Sequence, residues 1–149
     1  MPIELDDVLE AWRVNNDVTF ELLDFCPEGT MDYKPGKGKT IRSNFVHILW
    51  IRAENVKEKF PKAKILKLDW KTATRDEIRE ALLISADQMA DVLRRRFEKP
   101  GKLNFMTFFA HLIAHESHHR SQIELALRLN DGEPKEYMAW YNWWDWSKK

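Results

Sequence analysis

A single cysteine, Cys26, is all that 149 residues contain, so no disulfide can form within the chain. That excludes a disulfide-stapled secreted scaffold and fits a reducing cytoplasm. A surplus of charge is missing as well, because 24 basic residues balance 24 acidic ones. A protein that coats nucleic acid would carry a basic excess, so nucleic acid is not an expected partner. The local positive runs, Arg94-Arg95-Arg96 and the Lys57 to Lys67 region, read as solvated helix ends and a loop. No apolar run approaches membrane-spanning length, and no N-terminal apolar segment has the form of a secretion signal. The expectation is a cytoplasmic protein with no membrane partner. Repeats and low-complexity tracts are lacking too, and this length suits one domain, residues 1–149, able to bury its own core.

What the chain does have is helical periodicity. From Glu4 to about Phe25, Leu5, Val8, Leu9, Trp12, Val18, Leu22 and Leu23 recur mostly at three- and four-residue spacing, after a tolerated Pro2. Cys26 to Lys39 holds Pro27, Gly29, Pro35, Gly36 and Gly38 and is a loop, long enough to suggest a binding role. A second helix runs from about Thr40 to Phe60 and stops at Pro61. Apolar residues lie on more than one of its faces, which predicts a central place or a subunit contact. Lys62 to Trp70 is either a short strand or an ordered crossover. Thr74 with Glu77 forms a capping box opening a third helix that ends near Glu98. The fourth helix runs from about Asn104 to Leu129, closed by Asn130-Asp131-Gly132. Four such helices predict an all-α four-helix bundle with an aromatic C-terminal tail.

Four of the five histidines fall in His111-Leu112-Ile113-Ala114-His115-Glu116-Ser117-His118-His119-Arg120-Ser121-Gln122 on that last helix. At roughly 100° per residue, Phe108, Leu112, His115, His119, Ile123 and Ala126 share one face about 80° wide. His115 and His119 thus lie one turn apart on an apolar stripe, where they can share a metal ion. His111 and His118 fall toward its edge and are not expected to coordinate. Arg120, Ser117, Glu124 and Arg128 are expected to face solvent. A third ligand is needed, and His47, in the buried second helix, is the one histidine outside the cluster. Gln122, Glu116 and Glu54 are the candidate partners for the ligands' second nitrogens.

These residues resemble the DinB/YfiT-like superfamily. The resemblance rests on His115-x-x-x-His119-Arg120-x-Gln122, on Val46-His47-Ile48-Leu49-Trp50, and on Asp32-Tyr33-Lys34-Pro35 before the second helix. It covers nearly the whole chain; one departure is Ser121, where the family often has glycine. It implies a four-helix bundle, a homodimer, and a divalent metal held by His47, His115 and His119. Zinc or nickel comes first among metals, with iron or manganese behind. Members with known activity are thiol-dependent S-transferases and isomerases using bacillithiol, mycothiol or glutathione. The implied function is therefore a metal-dependent S-transferase acting on a small-molecule substrate, with a low-molecular-weight thiol as nucleophile.

Two other classes compete. A non-catalytic dimeric metal-binding module would need the same ligands but no open position. His115-Glu116-Ser117-His118-His119 also matches H-E-x-x-H, which would make Glu116 a catalytic base in a metal-dependent hydrolase. That match is short, the chain shows no evident sheet to hold a peptide, and Glu133 or Glu136 as third ligand would follow the helix break closely. Glu116 is retained as the candidate catalytic residue. Trp140, Tyr141, Trp143, Trp144 and Trp146 in the tail are expected to pack across the bundle mouth, at a dimer contact or against the substrate pocket. Cys26 is expected to be structural.

Overall fold

Caps decide where the helices begin. In the computed structural model, which describes residues 2–136, 142, 143 and 145–149, the long helices are α1 (Leu5–Asp24), α2 (Ile41–Lys59), α3 (Arg75–Glu98) and α4 (Phe105–Leu129). No strand occurs among the described residues, so the bundle is all-α. Thr40 and Asn104 side chains accept backbone N–H groups in the first turns of α2 and α4. Thr74 and Glu77 form the reciprocal box at α3, with the Thr74 N–H donating to Glu77 at 2.8 Å. At the other end of α4, Asp131 takes the left-handed conformation (φ 55°) that aspartate tolerates better than most residues. The Gly132 N–H then returns to the Leu127 carbonyl at 2.8 Å. Gly132 serves closeness instead: a Cβ there would lie 3.0 Å from the Tyr33 ring.

The core has two apolar clusters. One holds Val18 and Leu22 of α1, Phe45 and Leu49 of α2, Ile78 and Leu82 of α3, and Ile123 of α4. The other holds Val8, Val56, Met89 and Phe108. The C-terminal halves of α1 and α4 therefore lie level with the N-terminal halves of α2 and α3. The direction of travel is up, down, down, up, and the parallel α2 and α3 require a connection that runs the length of the bundle. Residues 60–74 are that connection, an ordered crossover and not a strand. It is tied down by Gln88 donating to the Lys64 carbonyl at 2.8 Å and Arg42 to the Ala73 carbonyl at 2.8 Å.

Between the two clusters lies a polar layer with one contribution or more from each helix: Asn15, Arg52, Ser85, Glu116 and Arg120. The loop before α2 contains a short 3-10 turn, Glu28–Thr30, and is pinned to the helix start by Ile41 and Arg42 N–H groups donating to the Tyr33 and Met31 carbonyls. In the tail, the Trp143 indole donates to the Val18 carbonyl at 2.7 Å and its ring meets Phe25 edge-on, inside the first cluster. Trp146 packs against that cluster from a terminal 3-10 turn, Trp146–Lys148. The expectations for Trp140, Tyr141 and Trp144 lie outside the described residues. Among the described helices, none is long and apolar enough to cross a membrane.

Candidate metal centre

α2 and α4 pack side by side and antiparallel, and each brings imidazoles to the same level. One ligand nitrogen each from His47, His115 and His119 lies within 4.8 Å of the others. His47 Nε2 and His115 Nε2 are 3.3 Å apart. Two nitrogens bound tetrahedrally at zinc's usual ~2.0–2.1 Å would sit about 3.3 Å from one another, so the spacing suits a shared small cation. The rings of His115 and His119 are 4.7 Å apart, as one helical turn dictates, and His47 faces both at 5.2 and 4.5 Å.

The third imidazole has a fixed orientation. Asn44, one turn before His47, donates its amide N–H to the Thr40 carbonyl at 3.0 Å, which leaves Oδ1 facing outward. Oδ1 lies 2.8 Å from His119 Nδ1, so that nitrogen carries the proton and Nε2 keeps its lone pair. Burial, then the nearby His47 and His115, push the His119 pKa down to about 4. Burial also lowers His47, helped by Lys39 and His115, and lowers His115 against the opposing pull of Glu116. All three imidazoles are thus in the neutral, ligating form near neutral pH. The Nδ1 atoms of His47 and His115 are buried without a hydrogen-bond partner. Three neutral imidazoles with facing lone pairs gain little from one another and much from a cation between their Nε2 atoms.

Other expected residues fall differently. Arg120 does not face solvent: it is fully buried, and donates to Asn15 at 2.8 Å and Thr19 at 2.9 Å on α1. The helical wheel sets Arg120 away from the histidine stripe, but α1 covers that side, where Asn15 and Thr19, with Glu116, receive the guanidinium. The Glu116 carboxylate is 1% exposed and held by Arg52 at 2.6 and 2.9 Å and by Asn15 at 2.7 Å. Burial would raise its pKa, but the Arg52 charge and hydrogen bonds, with Arg120, override that and lower it. It is not grouped with the histidine nitrogens. Glu54 is exposed and pairs with Lys57, and Asn44 fills the partner role expected of Gln122, Glu116 or Glu54. His111 and His118 are exposed and lie outside the trio, and Glu133 pairs with Arg128. Asn44 lies one turn before His47 between polar Ser43 and apolar Phe45, and no pattern in the chain marks it, because its role depends on α4 packing opposite.

The outer wall of the centre is aromatic. Trp50 and Trp70 approach the His47 ring at 5.6 and 5.9 Å. Both also line an apolar cavity of about 290 Å³ between α2 and the crossover. A wider recess of about 580 Å³ lies toward the far end of α2, against Val56, Phe60 and Gln88, and includes no histidine. Cys26 is fully buried, its thiol donating to the Leu22 carbonyl, and burial pushes its pKa up to about 12. It is no nucleophile at neutral pH.

Comparison with known proteins identifies a family. The family model described as "DinB family" matches residues 1–148. No curated protein and no solved structure matches the chain.

Proposed function

The chain belongs to the DinB family, and from that premise we propose that it is a metal-dependent S-transferase. His47, His115 and His119 would hold a divalent cation, zinc or nickel before iron or manganese. The observation that supports this is the convergence of three neutral imidazoles from two helices, with one of them oriented by Asn44. A cation held there would supply Lewis acidity that favours the thiolate form of a bound low-molecular-weight thiol. In the transfer, the thiol sulfur forms a bond to an electrophilic carbon, the leaving group departs with its electron pair, and the thiol proton is released. The protein's own part is to keep the imidazoles unprotonated, to fix the His119 tautomer, and to wall the site with Trp50 and Trp70. Cys26, buried with a raised pKa, stays out of the reaction.

We further propose that the protein works as a homodimer in the cytoplasm, where small thiols are kept reduced. Glu116 in this reading is a positioning residue: both carboxylate oxygens are engaged by Arg52 and Asn15. The same engagement argues against a hydrolase built on H-E-x-x-H, whose glutamate must be free to take a proton.

Metal analysis of protein expressed without an affinity tag, beside His47→Ala and His119→Ala, tests the proposal. The expected result is one divalent metal per chain, lost in both variants. Conjugation of bacillithiol, mycothiol or glutathione to 1-chloro-2,4-dinitrobenzene should disappear with it. Turnover that persists after the metal is lost would sink the mechanism. Metal retained with no turnover on any thiol would favour the non-catalytic module.

A further inference from the structure

Next to His47 the protein leaves large apolar side chains in water. Trp50 is 49% exposed, Trp70 40% and Leu66 37%. These three, with Leu49, Ala53 and Leu68, enclose the cavity of about 290 Å³ between α2 and the crossover. Trp50 and Trp70 belong to both places, since their rings also contact His47. The cavity therefore shares a wall with the candidate metal centre. At roughly 30 Å³ per heavy atom in a liquid, it holds about ten non-hydrogen atoms. An apolar recess with a few polar groups at its rim is the common form of a small-molecule site.

The rim is positive. Lys57 and Lys67 both line the cavity, and Lys39 lies over the Trp70 ring at 5.7 Å. Lys57 is paired with Glu54 at 3.2 Å. Asp69, two residues after Lys67, spends its carboxylate on the Lys71 and Thr72 N–H groups at 2.7 and 3.0 Å. Lys67 and Lys39 are left without a carboxylate partner among the described residues. An apolar pocket beside two uncompensated ammonium groups selects ligands with a greasy body and an anionic end.

We propose that this cavity is the acceptor subsite: it takes the apolar body of an anionic electrophile, with Lys67 at its rim binding the anion and Lys39, over Trp70, adding positive charge nearby. The description of the ligand as an electrophile rests on the S-transferase reading; the binding site does not. Trp50 and Trp70 hold the body of the ligand on the His47 side of the cavity, which places its reactive carbon next to the centre. Long acyl or aryl carboxylates fit this description, and polar or cationic molecules of the same size do not.

The test uses the full chain and three probes of matched length: octanoate, 1-octanol and octylamine. Each is titrated into the protein as isolated and into His119→Ala, with backbone amide NMR shifts as readout. Octanoate should move the amides of Leu49, Ala53 and Leu66 and bind at least tenfold tighter than octylamine. Lys67→Glu should reverse that order, and Trp50→Ala should weaken octanoate about tenfold; both side chains are exposed, so the fold is retained. Binding to His119→Ala should match the parent. Octanoate binding lost in His119→Ala would mean that its carboxylate seeks the metal and would overturn the subsite. Shifts elsewhere on the surface, or octylamine binding as well as octanoate, would overturn it too. A protein that holds no metal yet binds octanoate in the cavity would separate failure of the enzymatic reading from failure of this one.

Discussion

At the scale of single residues, the centre depends on a proton kept in the right place. Asn44 accepts from His119 Nδ1 and is itself held by the Thr40 carbonyl, so the lone pair on Nε2 is set before any ligand arrives. Removing such a partner usually costs about 10–100-fold in metal affinity. Asn44→Ala should show a loss of that size in chelator competition, and Asn44→Asp, which still accepts, should restore most of it. His119 itself sets a pH window. In the metal-free protein His119 has a pKa of about 4, below the 6.5 of an unperturbed imidazole. Between those values the unfolded chain takes up a proton that the folded chain refuses. Stability is therefore complete above about 6.5 and declines as the pH falls toward 4. Urea melts of the metal-free protein across that range should show the decline, and His119→Ala should make it shallower, leaving the part due to His47 and His115, which burial lowers too. A flat profile in the parent would contradict the buried, neutral imidazole. The spacing of His115 and His119 was legible from the chain because helical period alone brings them together. Asn44 was not, since its role depends on which helix packs opposite.

At the scale of the helices, the polar layer is what fixes α2 against α4. Glu116 accepts from Arg52 on α2 and Asn15 on α1, while Arg120 reaches Asn15 and Thr19. Arg52 also lies against the Trp12 ring at 4.7 Å and donates to Ser85 at 3.1 Å, which brings in α3. Glu116 and Arg120 directly follow His115 and His119, so the layer that joins the helices also sets the height of the ligands. Two buried guanidinium groups share one carboxylate. Burial, reinforced by Arg52 and opposed by Glu116, lowers the Arg120 pKa to about 10, which still leaves it charged at neutral pH. Deleting the one negative charge strands two positive ones, and breaking a buried pair typically costs about 3–5 kcal/mol. Glu116→Gln should lose stability of that order in chemical denaturation, and the Arg52→Met/Glu116→Gln pair should lose less than the sum of the two single changes. Folded Glu116→Gln should keep its metal; loss of metal with unchanged stability would give Glu116 a direct part at the centre. Helix number, order and caps could be read from the chain, because each is encoded within a few residues. The buried arginines could not, because their partners sit on other helices.

At the scale of the whole molecule, the question is what the aromatic tail does. Trp143 is 3% exposed, its indole N–H reaches the Val18 carbonyl, and its ring fills the first apolar cluster beside Phe25. The Arg13 guanidinium donates to the Lys149 carbonyl at 3.2 Å, and Lys149 pairs with Glu21. These contacts make the described part of the tail a cover for α1 within one chain. A side chain used in that way cannot also be spent on a partner. Leu83, Leu103, Leu125 and Leu129 meanwhile stay 56%, 49%, 43% and 63% exposed on α3, on α4 and before it. A homodimer would therefore draw its buried area from helix faces and not from Trp143. Trp143→Ala should cost about 3–5 kcal/mol, as removal of a buried tryptophan does. Sedimentation of the folded variant should nonetheless match the parent, at about twice the 17.8 kDa of one chain. Conversion to a monomer with little loss of stability would reverse the assignment and place the tail at the subunit contact.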